Sequence, residues 1–567
     1  MKNVSFLMLF LATAPAFPQS SSVPHLNKSG KAIQLIVNDK PFLVFGGELH
    51  NSSSSGFSYM RPIWAQMRKK NLNTVIAPVY WELLEPEEGQ FDFSLVDSML
   101  AGARSQQLHL ILLWFASWKN GYSTYAPGWV KNNTEKYPRA KDPDGKPVNQ
   151  LSTFGEATLR ADARAFKKLM QHIREVDAID QTVIMAQIEN EVGLFNHPRD
   201  YSDPANAAYN KPVPAKLMNY LSANKGKLQP ELDSAWRSNG YKTSGNWETV
   251  FGKSLLDRSN WQTLSYLTEE LFTVYQYAQY IGQVAAAGKE AYPIPMYVNA
   301  WLKQKSTPWP GRYPAGGPTA HTLDLWRAAA PSLDFISPDI YIPEVLQTAA
   351  AYHRKDNPLF IPEIKPGNES ANQAFWIFAE HDAIGMAPFG IDESTPETDP
   401  VTKTYAVLEQ AKDLLLQQQG KGTMKGFYLD SNNSKQSFEL GGYRVDVQLG
   451  SGSFADAAGF AAGEKKTTLA GGILINTGKD EFFAIGKDFK LIFFPITADG
   501  KTLDIEYCDE GSFVNGNWVR TRRLNGDESR AGGDYGFGFK KGNYALVVFE
   551  PSPAGDCHIM KFKLYKY

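Results

Sequence analysis

The residues best suited to chemistry lie in two short stretches far apart in the chain. In the first, the apolar run Val183–Ala186 gives way to Gln187–Ile188–Glu189–Asn190–Glu191–Val192–Gly193. A short apolar run reads as a strand buried on both faces. Ending such a strand in carboxylates and an amide is costly unless those groups are paired or used. Taken alone, Glu-Asn-Glu is equally well a solvated acidic loop. The second stretch, Leu359–Phe360–Ile361–Pro362–Glu363, repeats the pattern of an apolar strand closed by a carboxylate. Two carboxyls facing one sugar suit glycoside hydrolysis. One is kept protonated and gives its proton to the leaving oxygen, and the other attacks the anomeric carbon. A separation of about 5–5.5 Å supports a covalent intermediate and retained stereochemistry, and a wider gap admits water and inverts it.

Around this pair stand further candidates. Strict strand alternation puts Asn190 and Glu191 on opposite faces, so the strand must end or bulge there for both to reach a sugar. Asn190 would then bond the sugar 2-OH, while Glu189 points into a buried hydrogen-bond network. Trp114, Trp118 and Trp301 could stack on sugar rings, with core packing the competing account of each. Tyr80, Trp81 and Asn299 are further substrate-binding candidates. The histidines are scattered and no HExxH or EF-hand pattern exists. Neither a metal nor a cofactor is expected.

The elements that must position these groups alternate. A hairpin, Ala32–Val37 and Phe42–Phe45 around the turn Asn38–Pro41, follows a polar lead-in, Ser20–Gly30. Apolar runs then recur at Asn73–Tyr80, Leu108–Phe115, the strand at Val183, Pro295–Asn299, Asp334–Ser337, Pro358–Ile361 and Gly385–Phe389. Helical patterns at Tyr59–Lys70, Leu95–Gln106, Ala157–Val176, Gln373–His381 and Thr404–Gln418 separate them. Eight strand–helix units whose strands end in Glu, Asn, Trp, Tyr or Asp predict a (β/α)₈ barrel over residues 20–420, with the chemistry at the strands' C-terminal ends. A helical insertion near 200–287, ending in a long helix over Trp261–Ala287, lies beside that face. From 421 to 567 short strands alternate with Gly, Asn and Asp turns, predicting an all-β, sandwich-like domain. Gly450–Ala462 is expected to be a mobile loop.

With 58 basic and 60 acidic residues the net charge of −2 gives no electrostatic case for nucleic acid or an anionic membrane. The 13 Trp and 26 Tyr suit sugar faces as well as ordinary cores. Lys2, the apolar Val4–Ala12 and Ala14–Pro15–Ala16 read as a signal peptide over residues 1–16. The apolar run is too short to span a bilayer. A periplasmic or extracellular protein is expected, with an oligosaccharide as partner and room for a homodimer. In such a compartment Cys508 and Cys557 could form a disulfide or stand as separate buried thiols.

The run Gln187–Gly193 resembles the strand-4 motif of family-35 glycoside hydrolases, the β-galactosidases built on a (β/α)₈ barrel. Gly46–Gly47–Glu48–Leu49–His50 and Trp81 to Glu85–Pro86 with Gly89 are similar to that family too. The resemblance spans roughly residues 32–400. It implies Glu191 as acid/base, a strand-7 nucleophile that Glu363 matches by position, and a strand-6 tyrosine, Tyr341, donating to that nucleophile. The chain departs from the family where Glu82 and Leu84 replace Asn and His and Pro78 replaces Tyr. It departs again where Ala116–Ser117–Trp118 replaces Ala-Glu-Trp, removing a galactose-binding carboxylate. The expected function is a retaining exo-β-galactosidase acting on plant cell-wall oligosaccharides, with xyloglucan side chains the natural substrate. Another retaining glycosidase of the clan, a mannanase or agarose-type hydrolase, or a non-catalytic carbohydrate-binding protein, are the alternatives.

Overall fold

The computed structural model of the protein describes residues 22–253, 267–450, 468–524, 529–531, 543–549 and 556–567. Eight parallel strands close a barrel in chain order. They are β1 (Val44–Glu48), β2 (Thr74–Tyr80), β3 (His109–Lys119), β4 (Val183–Asn190), β5 (Met296–Trp301), β6 (Phe335–Ile340), β7 (Phe360–Ile364) and β8 (Gly385–Pro388). Nearly every residue in them is buried, the mark of strands covered on both faces. The barrel's interior is a packed core of aromatic and branched side chains. Tyr297 stacks on Phe335 with centroids 5.0 Å apart and meets the edge of Phe360 at 5.3 Å. Ile76, Ile111 and Met185 fill the same cluster.

The lead-in is more regular than its polar sequence predicts. His25–Ser29 pairs antiparallel with Ala32–Val37, which pairs in turn with Lys40–Phe42. Leu35 and Val37 from this three-stranded sheet pack into the barrel cluster. His25–Ser29 is an exposed edge strand, so no apolar alternation announced it. The first barrel strand accordingly begins at Val44, after the hairpin. The helix expected over Tyr59–Lys70 is divided by Pro62 into Phe57–Met60 and Ile63–Lys69. The polar segment after β3 carries a hairpin of its own, Arg139–Lys141 with Pro147–Leu151.

Two long helices cover the β3–β5 side. Helix α1 (Glu156–Asp177) buries Ala161, Ala165, Phe166, Leu169 and Ile173 along one stripe. Helix α2 (Leu267–Ala291) packs along it and is buried on almost every side, because the insertion between β4 and β5 lies over it. That insertion contributes the short helices Asp203–Tyr209, Ala215–Ala223, Pro230–Ser238 and Trp247–Phe251. The expected start of the long helix at Trp261 lies outside the described residues, as do the expected signal peptide and most of the expected loop at Gly450–Ala462.

Among the described residues the C-terminal part forms two antiparallel sheets, one of six strands and one of five. Phe427, Phe482, Phe489, Phe493 and Phe562 fill the space between them. The six-stranded sheet lies on helix α3 (Asn368–Glu380), the helix that follows β7. Gly471 rests against the backbone of Asn372, and a Cβ at Gly426 would come 2.7 Å from Cα of Trp376. No disulfide joins Cys508 and Cys557. Cys508 is buried and burial pushes the Cys557 thiol up to about 12.

Candidate active site

The end of β4 solves the alternation problem with its backbone. Glu189 and Glu191 both adopt left-handed conformations, φ 59° and 46°, on either side of Asn190. Such a backbone costs of order 1–3 kcal/mol at each non-glycine residue. In return, three consecutive polar side chains reach three places. The neighbouring strand β3 bulges here: Trp114 pairs with Ile188, yet the next pair is Lys119 with Asn190. The bulge frees the N–H groups of Ala116, Ser117 and Trp118. Glu189 accepts from all three, at 3.3, 3.0 and 2.8 Å. Burial, and then Asp162, push the Glu189 carboxyl well above its usual range. Asp162 on α1 in turn accepts from Trp114 Nε1 and Ser117 Oγ, at 2.9 and 2.6 Å. Glu189 is therefore a buried brace, and Asn190 and Glu191 face the cleft.

The cleft's centre is Glu363, at the end of β7. Asn190 Nδ2 donates to its Oε1 at 3.0 Å and Tyr341 Oη to its Oε2 at 2.7 Å. Asn299 on β5 donates to Asp339 Oδ2 at 2.7 Å and, more weakly, to Glu363 Oε1 at 3.4 Å. Its Oδ1 accepts from the backbone N–H of Glu191 at 2.9 Å, which pins the left-handed turn. One carboxylate oxygen each from Glu191, Asp339 and Glu363 lie within 4.8 Å of one another. Asp339 and Glu363 are direct cross-strand neighbours on β6 and β7. Glu48, ending β1, is fully buried and neither of its oxygens has a protein partner.

Among the described residues, four buried carboxyls here share the one cation of Lys119. Lys119 Nζ, itself nearly buried, donates to Asn190 Oδ1 at 3.0 Å and so orients the amide that holds Glu363. Removing charge from water is costly, so protons stay on the carboxyls least compensated. Burial, followed by the charge of Glu363, pushes Glu191 up to about 8. The same two causes, in the same order, raise Glu48 and Asp339 well above the usual carboxylate range. The arrangement thus offers a proton donor in Glu191 and, in Glu363, a carboxyl met by three side-chain donors. The grouping of Glu191, Asp339 and Glu363 would also suit a small cation, a possibility the sequence did not raise.

Lys119 opposes the rise of both Glu191 and Glu48. Its replacement by methionine is expected to raise the Glu191 pKa further, moving the alkaline limb of kcat/KM upward by roughly one pH unit. A pH–rate profile of the variant checks this.

The sequence candidates divide. Glu191, Glu363, Asn190, Asn299 and Tyr341 converge. Trp301 stands at the end of β5, partly exposed. Trp114 and Trp118 are not offered to a ligand: both are fully buried. Trp114 packs on Phe166, and Trp118 packs edge-on against Tyr277 and Tyr280 with its indole N–H on the carbonyl of Leu151. Trp81 is likewise sealed, donating to Glu85 Oε2 and packed against Trp129. Tyr80 is buried beside Phe115 and Tyr125, its hydroxyl spent on the carbonyl of Asn51. Trp114 alternates with the inward-facing Leu113 and so meets Phe166 of α1, whereas Tyr80 points inward and is covered by Phe115 and Tyr125. Glu48, Lys119 and Asp339 were missed as site residues. Each ends a barrel strand, and that position was the available signal.

Residues 34–260 match the glycosyl hydrolases family 35. Residues 401–535 match a domain of unknown function, DUF5597. A curated β-galactosidase from Xanthomonas manihotis is 28% identical over 221 residues, 37% of this chain and 34% of that protein. The chain thus matches about a third of that relative's length. Among solved structures, a β-galactosidase from Marinomonas ef1 is 14% identical with a TM-score of 0.44, covering 65% of this chain and 61% of its own. A β-mannanase from the blue mussel Mytilus edulis is 14% identical with a TM-score of 0.40, covering 69% and 98%.

Proposed function

We propose that this protein, which matches family 35 over residues 34–260, is a retaining exo-β-galactosidase. The observation that carries the reading is the pairing of Glu191 with Glu363, with carboxylate oxygens within 4.8 Å of each other. That closeness lies on the short side of the two carboxyl spacings, the side that goes with direct attack and a covalent intermediate. Glu363 attacks the anomeric carbon while Glu191 gives its proton to the glycosidic oxygen, and the aglycone leaves as an alcohol. The product is a galactosyl ester of Glu363. Esterification removes the negative charge that held the Glu191 proton, so the Glu191 carboxylate now takes a proton from water. The resulting hydroxide attacks the anomeric carbon and releases Glu363. Asn190, held by Lys119, is placed to bond the sugar 2-OH, and Glu48 brings an unpartnered carboxyl to the sugar's hydroxyls.

The name of the curated relative supports galactose as the sugar. Terminal galactose on xyloglucan side chains is the natural substrate we propose, and the pattern of residues 1–16 supports export to the periplasm or beyond. A panel of nitrophenyl β-glycosides tests the sugar. The β-galactoside is expected to turn over at least about tenfold faster than the β-mannoside or β-glucoside. A mannoside preference would overturn it. Galactose release from xyloglucan, lactose and galactan tests the polymer.

A further inference from the structure

Three aromatic rings in contact, one after the other, stand at the ends of β3, β4 and β5, on and around the segment that carries Glu191. Tyr122 stacks on Phe195, with centroids 5.5 Å apart and planes 19° from parallel. Phe195 meets Trp301 edge-on at 5.5 Å. None is sealed: Tyr122 is 40% exposed, and Phe195 and Trp301 are partly exposed. Trp114, Trp118 and Trp81, by contrast, are wholly buried.

The backbone ties this row to the reacting centre. Tyr122 exchanges both backbone hydrogen bonds with Lys119, at 2.8 and 2.9 Å. The N–H of Asn120 donates to the carbonyl of Asn190 at 3.1 Å. Between them Gly121, at φ 69°, lies so close that a Cβ would come 2.9 Å from the carbonyl oxygen of Gly193 and from the Phe195 ring. A larger residue there would push the two loops apart. Trp301 is the cross-strand neighbour of Asp339 and follows Asn299 by two residues. The row is therefore built on the ends of β3, β4 and β5, centred on the strand that carries Glu191. Tyr341 and Phe389 stand with Glu363 on the other side, with rings 6.4 Å apart.

We propose that Tyr122, Phe195 and Trp301 form the binding platform for the leaving half of the substrate, a neutral pyranose ring. This rests on the glycosidase reading above and deepens it. The acid must reach the oxygen that joins the two sugars, so the departing ring lies on the acid's side of the cleft. A pyranose presents a face of C–H groups that packs on an aromatic ring, and the Tyr122 hydroxyl offers a polar edge. Charged groups are absent from the row's three side chains, which favours a neutral ring over an anionic one.

The test compares a substrate that has a leaving sugar with one that has none. Galactosyl-β-glucose and galactosyl-β-xylose carry the ring, and β-galactosyl fluoride releases only fluoride. Trp301→Ala is expected to lower the ratio of kcat/KM for the better disaccharide to that for the fluoride by roughly tenfold or more. Tyr122→Ala, at a more exposed position, should lower the same ratio and provides a second variant should Trp301→Ala fail to fold. Equal losses on both substrates in these variants would overturn the platform and leave the glycosidase reading standing. A wild-type protein that turns over neither the fluoride nor the disaccharides would overturn both.

Discussion

Replacing Glu363 by alanine should lower the turnover of every galactoside by about 10⁴-fold or more, with the fold intact. Glu363 is the only carboxyl of the cluster approached by the Tyr341 hydroxyl and by two amides, and no neighbour stands in the same place. Deleting its carboxylate leaves a space at the anomeric carbon. Azide entering that space would displace an activated leaving group once, giving the α-galactosyl azide. Recovery of activity with azide and formation of the α-product together identify the nucleophile. Undiminished turnover in the folded variant would refute the assignment.

Replacing Glu191 by alanine should give a different pattern. Galactosides with poor leaving groups need the proton, so their kcat/KM should fall by about 10²–10⁴-fold. A dinitrophenyl galactoside needs little help, so its first step survives. The galactosyl-enzyme then accumulates for lack of a base, and azide captures it as the β-galactosyl azide. The wild-type pH profile follows from the same group. As the proposed acid, Glu191 must carry its proton to act, and burial together with the charge of Glu363 pushes it up to about 8. Activity should fall as the pH rises through that value, and this limb should vanish in Glu191→Ala. Burst kinetics and a pH series measure both.

The barrel was legible because its strands are covered on both faces. Each shows as an apolar run ending in a polar residue, from Phe45 to Phe389. Lys119 was harder to read, because it follows Trp118 at the foot of a bulge that alternation does not reveal. Asp339 and Glu48 were visible as strand ends. Their convergence on Glu363 is a matter of ring closure, which brings β1, β6 and β7 together only in three dimensions. The tryptophans were the least legible. An indole that stacks on sugar and one that packs on Phe166 or Tyr280 have the same local sequence signal. The lead-in strand was lost for the opposite reason: His25–Ser29 buries too little to leave a pattern.

The glycine-lined sheet against α3 has a mechanical consequence. Gly471 and Gly426 let strand backbone sit directly on helix backbone, with no side chain between to act as a bearing. The helix so gripped begins four residues after β7 ends. The module of unnamed function is thus bolted to the very segment that presents Glu363. Sliding between the two bodies would have to drag that segment along, so the C-terminal sheets serve as ballast for the Glu363 carboxyl.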